Sequence, residues 1–157
     1  MPHLLIAGAI HKSGIELIKT RRDFTYTYLS KNDDLSYRKL IKHADGLVIR
    51  TQPLSRTDIF SSQKLKVVSR HGVGYDAIDV NALTEKRIPL AIVGDVNSQS
   101  VAEQSMTLIL AAFKRLIKSD RAVRVGPWNY RNQLESQEVN GKNLLILGFS
   151  AIIFISR

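Results

Sequence analysis

Residues Ser69-Arg70-His71-Gly72-Val73-Gly74-Tyr75-Asp76 form a glycine-paired turn directly after a short apolar run. With no Cβ in the way, the backbone amides of such a turn can close on an anion, and open α/β sheets bind ligands beyond the carboxyl ends of their strands. The turn therefore reads as a cradle for a carboxylate; the alternative is a tight strand-to-helix turn that needs glycine only for its dihedral angles. Arg50 ends a second apolar run, in Val48-Ile49-Arg50-Thr51-Gln52-Pro53-Leu54-Ser55. A guanidinium there can pair bidentately with a carboxylate or phosphate held by the glycine turn, or it is an ordinary surface arginine. His71 lies inside the turn and either touches a ligand or is solvated. His3, His11 and His43 lack metal-ligand spacing and the chain has no cysteine, so no metal site is expected and disulfides are excluded.

Positioning these residues requires strands that end just before them. Five apolar runs, at 3–9, 24–29, 46–50, 66–70 and 89–93, alternate with helix-like segments, the pattern of a parallel sheet with crossover helices. The fold class is α/β, a doubly wound parallel sheet, and three of the runs are nearly continuous in apolar residues, as suits strands covered on both faces. Ser13-Gly14-Ile15-Glu16 has the capping-box pattern for a first helix, residues 35–43 read as a second, and Asp79 is placed to cap a third that runs through Lys86. Ser100-Val101-Ala102-Glu103 repeats the capping-box pattern and opens the longest helix, through Ile117; its apolar residues occupy more than one stripe, which predicts burial on two sides. Residues 125–141 hold Gly, Pro, Trp and amides without a period and read as a loop, and 143–148 read as a new strand. The expected organisation is a first domain over 1–95, a connecting helix over 96–120 and an incomplete second domain over 121–157.

A chain of 157 residues with 44% hydrophobic content can bury one ordinary core, and 24% charged residues place it among globular chains. The amino terminus lacks the basic and small-residue features of a signal peptide, and no apolar run reaches bilayer-spanning length. A cytoplasmic protein without a membrane partner is expected. The net charge of +9 suits anionic cofactors and carboxylate substrates as well as nucleic acid. Lys19, Arg21 and Arg22, like Lys114, Arg115 and Lys118, are scattered over amphipathic segments without interleaved aromatics, which argues against a nucleic-acid platform.

Four segments in order, Asp45-Gly46-Leu47-Val48-Ile49-Arg50, Leu65-Lys66-Val67-Val68-Ser69-Arg70 with its glycine turn, Asn97-Ser98-Gln99-Ser100-Val101-Ala102-Glu103 and Gly141-Lys142-Asn143-Leu144-Leu145-Ile146-Leu147-Gly148-Phe149, carry a family likeness. Over them the chain resembles the D-isomer-specific 2-hydroxyacid dehydrogenases, the group of phosphoglycerate, glycerate, formate and D-lactate dehydrogenases. The resemblance implies a flavodoxin-like substrate domain followed by the start of a Rossmann-type cofactor domain, with NAD or NADP as cofactor and a small 2-hydroxy or 2-oxo acid as substrate. It assigns Val73 and Gly74 to the substrate carboxylate through their backbone amides, Arg50 to a substrate contact, and Asn97 to the entrance of the interdomain helix near the cleft. Thr51-Gln52 leaves the particular acid open, and Ala77 replaces the asparagine more common after the Asp of the turn. A homodimer is implied by the resemblance alone.

The departure comes at Gly148, the first glycine of the dinucleotide fingerprint and the one vestigial cofactor-binding position. The second and third glycines, which admit the pyrophosphate and let the helix pack on its strand, are here Ser150 and Ile153. The ribose-binding acid expected about 20 residues beyond the first glycine, and the catalytic Arg, Glu and His of the family, have no counterpart up to Arg157. The apolar tail 151–157 reads as a shifted frame or premature end, and with the strand before it as an aggregation-prone segment. The expectation is a truncated dehydrogenase that is inactive alone; the alternative is a non-catalytic carboxylate- or phosphate-binding or interaction module.

Overall fold

A computed structural model describes residues 1–31, 34–126, 128–133 and 136–147. The chain divides into two compact units, Met1–Gly94 and Asp95–Arg157.

The first unit runs β1 (His3–Ala7), α1 (Lys12–Thr20), β2 (Thr25–Leu29), α2 (Asp34–Leu40) leading into a short 3-10 turn (Ile41–His43), β3 (Gly46–Ile49), α3 (Arg56–Ser61), β4 (Val67–Arg70), α4 (Val80–Glu85) and β5 (Leu90–Ala91). All four strand pairings are parallel and the order is β2-β1-β3-β4-β5. This is the doubly wound order in which the winding reverses between β1 and β3. The register lines up Leu5, Leu47, Val68 and Leu90 in one row, and Ala7, Ile49 and Arg70 in another two residues on. The apolar members of both rows belong to one core with Tyr37, Ile41, Ile59, Ala82 and Leu83. Burying each large aliphatic side chain of this kind contributes about 1.5–3 kcal/mol. Arg70 ends its row where the core gives way to the glycine turn.

Local chemistry sets the helix ends, not always where the sequence pattern places them. Asp79 caps α4 as expected, its carboxylate accepting the Ala82 N–H at 2.8 Å. The first helix begins instead at Lys12 behind His11, whose Nδ1 accepts the Ser13 N–H at 3.3 Å and lies 2.7 Å from the Ser13 hydroxyl. The imidazole thus takes over the role expected of Ser13. Helix α3 was absent from the sequence expectation because six residues are too few to show a helical period, yet it carries a full capping box between Ser55 and Asp58.

The second unit contains α5 (Ser98–Phe113), α6 (Leu116–Val125) and a 3-10 stretch (Trp128–Gln133). Its first helix starts behind Asn97, which places Ser100 inside the first turn; the Glu103 carboxylate accepts from the Gln99 amide at 2.6 Å instead of closing a capping box. The expected single helix through Ile117 is broken by Arg115, at φ +50°, and helix resumes over Leu116–Val125, past the expected end of the connecting helix at 120. Two-sided burial is not found either: in α5 only Ser98 and Ala102 are buried, because the described residues of this unit include no sheet to cover the rest. The strand expected from 143 does not form over 143–147; with no partner strand among the described residues, Leu145 and Leu147 stand 79% and 87% exposed. Gly148, Phe149, Ser150 and the tail 151–157 lie outside the described residues. Among the described residues, no helix is long and apolar enough to cross a membrane.

Candidate functional site

The winding reverses between β1 and β3, and the carboxyl edge of the sheet at such a reversal is the usual ligand position in this architecture. Arg50 is the first residue beyond β3. Its backbone N–H donates to the Ala7 carbonyl at 3.3 Å, and its Nη1 donates to the Ala9 carbonyl at 2.9 Å. The guanidinium therefore crosses the reversal from the β3 side to the β1 side. The residue is exposed, and its remaining N–H groups have no acceptor among the described residues.

The loop that carries Arg50 is held from behind. The Tyr37 hydroxyl donates to the Pro53 carbonyl, and burial pushes the phenol up to about 12. Buried Asp58 accepts from the Ser55 N–H at 3.1 Å, the Ser55 hydroxyl at 2.6 Å and the Tyr37 hydroxyl at 3.3 Å, while Arg38 Nε lies 3.2 Å from its other oxygen. Gln52, also buried, accepts the Thr51 N–H through Oε1 at 3.2 Å. Leu54 then ties the loop to the segment after the glycine turn, donating to Ala77 O at 2.9 Å and accepting from the Asp79 N–H at 3.0 Å.

The glycine turn is fixed beside Arg50 by the sheet itself. Ile49 is the register partner of Arg70, and the His71 N–H donates to the Ile49 carbonyl at 2.8 Å. Adjacent strands lie about 4.8 Å apart, so the two loops emerge side by side. Arg70 turns back on the loop it precedes, with Nε on the Gly74 carbonyl at 2.9 Å and Nη1 on the His71 carbonyl at 2.8 Å. The N–H groups of Val73 and Gly74 have no acceptor among the described residues. His71 is exposed and its ring makes no hydrogen bond to them.

Arg50, Val73 and Gly74 are thus brought to one edge of one sheet. Asn97 belongs to the second unit, where it occupies the N-cap position of α5; its carbonyl accepts the Val101 N–H at 3.0 Å, and its exposed carboxamide makes no capping bond. Gly148 lies outside the described residues. Two unclaimed amides on the same sheet edge as an arginine suit a small carboxylate. No hydrogen bond between an imidazole ring and a carboxylate, the usual machinery for moving a proton, occurs among the described residues. A separate cleft of about 260 Å³, lined by His3, Leu4, Phe24 and Val67 among others, opens at the opposite edge, where Asp45 is committed to the His3 N–H and Lys66.

Sequence reasoning did not single out Arg70, Tyr37 or Asp58. The Ser55-x-x-Asp58 spacing was the one available sign of the last; nothing local reveals that an arginine will fold back on its own turn.

Comparison with known proteins bears on the whole arrangement. The chain is 35% identical over 154 residues to the D-3-phosphoglycerate dehydrogenase of Methanocaldococcus jannaschii, across 97% of this chain and 29% of that protein. It is 30% identical over 161 residues to the glyoxylate reductase of Thermococcus kodakarensis, across 96% of this chain and 48% of that one. The fold also matches the crystal structure of the NADPH-dependent glyoxylate/hydroxypyruvate reductase of Sinorhizobium meliloti with NADP and malonate, at TM-score 0.81 and 22% identity, covering 99% of this chain and 48% of that one. The chain thus spans between about a quarter and a half of these relatives. Residues 4–144 match the family model of the D-isomer specific 2-hydroxyacid dehydrogenase catalytic domain, and the chain belongs to that family.

Proposed function

We propose that the first unit is the carboxylate-holding part of an NAD- or NADP-dependent oxidoreductase of small 2-hydroxy or 2-oxo acids, and that this chain alone turns over no substrate. The single observation that carries the reading is the pair of unclaimed amides, Val73 and Gly74, at a turn on the sheet edge that also carries Arg50. In this role the two amides take one carboxylate and Arg50 neutralises its charge. Support for the substrate class comes from the family and from the names of its members, among them glyoxylate reductases and D-3-phosphoglycerate dehydrogenases. Asn97 is proposed as a further substrate contact on the sequence match alone.

The family's dinucleotide is a different matter. A pyrophosphate site needs a strand, a glycine turn and a helix amino terminus in succession, whereas residues 142–147 carry no strand and leave their leucines exposed. The described residues therefore do not fit the cofactor, and no step is routed through it. A homodimer and a cytoplasmic location are part of the proposal, the former on the family likeness alone.

Two measurements test the reading. Incubation with D-2-hydroxy acids and NAD or NADP should give no reduction above blank; clear turnover would overturn the claim of inactivity. Malonate should raise the melting temperature of the chain, and Arg50→Ala should abolish most of that shift. An unchanged shift in Arg50→Ala, or none in the parent, defeats the carboxylate assignment. A purely binding module would rest on the same amides, and differs in predicting that all 157 residues resist limited proteolysis together.

A further inference from the structure

We propose that Arg70 is the positioning residue of the glycine turn, its guanidinium bracing the loop so that the Val73 and Gly74 amides stay available to an acid. This role rests on the turn being a carboxylate site. Arg70 Nε donates to the Gly74 carbonyl at 2.9 Å and Nη1 to the His71 carbonyl at 2.8 Å. The two peptide groups pinned in this way, 71–72 and 74–75, bracket the two, 72–73 and 73–74, whose N–H groups are unclaimed. One rigid planar group thus spans the turn and fixes its ends relative to each other.

The brace also acts on charge. Two carbonyl oxygens at the mouth of an anion site would repel an incoming carboxylate, and Arg70 covers both with charge-assisted hydrogen bonds. A lysine offers a single point charge on a flexible stem and cannot reproduce the fork. The anchor is itself immobile, because Arg70 closes β4 opposite Ile49 and the next N–H, that of His71, is bound to the Ile49 carbonyl at 2.8 Å.

The two glycines then have different reasons to be glycine. A Cβ on Gly72 would stand 2.8 Å from Arg70 Nη1 and 3.0 Å from Cζ, and at φ +155° a side chain is strained there whatever the space, so a substitution both strains the turn and pushes the guanidinium aside. A Cβ on Gly74 would meet Asp76 Oδ2 at 3.5 Å, an ordinary contact. Gly72 serves both the turn's dihedral and the room for the arginine; Gly74 is not needed for packing.

The test uses the full chain, labelled with nitrogen-15 and titrated with sodium malonate while the Val73 and Gly74 amide resonances are followed. The parent should show saturable shifts at both. Arg70→Ala and Arg70→Lys should each weaken malonate binding by about tenfold or more, the loss expected for a charge-assisted hydrogen bond, while resonances of the β1 and β3 core stay in place. Gly72→Ala, which keeps the arginine but displaces it, should give a comparable loss, and combining it with Arg70→Ala should add little further. Parent-like affinity in Arg70→Lys and Gly72→Ala overturns the role of Arg70 while leaving the carboxylate site standing. Amides that do not move in the parent at saturating malonate overturn both.

Discussion

Tyr37 shows how a buried side chain holds the loop that carries Arg50. Its hydroxyl donates to the Pro53 carbonyl and reaches Asp58, and burial raises its pKa from 10.0 to about 12. A folded-state pKa above the unfolded one means that the neutral phenol is favoured by folding, so this contribution is complete below pH 10 and is lost as pH rises through about 12. Tyr37→Phe should therefore lower stability at pH 7 by about 1–3 kcal/mol, by leaving the Pro53 carbonyl unpaired, and should flatten the decline between pH 10 and 12. Urea unfolding at several pH values would check both effects, and a parent-like alkaline decline in the variant contradicts the assignment. Gly74→Ala offers the complementary case. Its stability should stay within about 0.5 kcal/mol of the parent, since the added methyl makes only an ordinary contact, and a larger fall in melting temperature would contradict this. At this scale Arg50 and the glycine turn were legible because their types and spacing are unusual at strand ends. The acceptors they use were not: every residue has a carbonyl, and only the fold selects Ala9, His71 and Gly74.

Helix ends make the corresponding point for elements. α4 closes with Ile88 N–H on Leu83 O at 2.8 Å and Arg87 N–H on Thr84 O at 2.9 Å, the paired bonds of a Schellman motif, with Arg87 in the left-handed region at φ +56°. Glycine is the residue that this position favours. Arg87→Gly should stabilise the chain by about 1 kcal/mol, the net of relieved Cβ strain over added unfolded-state freedom, and a loss of stability on thermal unfolding would refute it. Asp58→Ala should cost about 2 kcal/mol or more, because one carboxylate serves the α3 cap, Tyr37 and Arg38 together. The Ser-x-x-acid signature was read at Ser13 and Ser100, yet it closed a capping box at Ser55, which went unread. At Ser13 and Glu103, His11 and Gln99 supplied nearer partners. Short-range competition of this kind is decided by side-chain geometry, which a spacing rule does not contain.

At the scale of the whole molecule, parallel strands alternating with helices were readable from hydrophobic runs alone, because burial on both faces leaves few polar interruptions. The second unit was less legible, since the same apolar residues that suggested a buried helix are largely exposed. Its stability should differ accordingly. The main core cluster lies wholly within Met1–Gly94, so limited trypsin digestion with mass measurement should cut first near Lys114, Arg115 and Lys118 and leave a resistant fragment close to the first unit. Early cleavage inside the first unit would contradict this. The strand order has a consequence for synthesis as well. β2 and β3 flank β1, β4 adds to β3 and β5 adds to β4, so every strand pairs with one made before it and none must be inserted between two already joined. A nascent chain can thus lay down the sheet outward from β1, and the edge that carries Arg50 and the glycine turn is complete with β4 and its turn, all within the first unit.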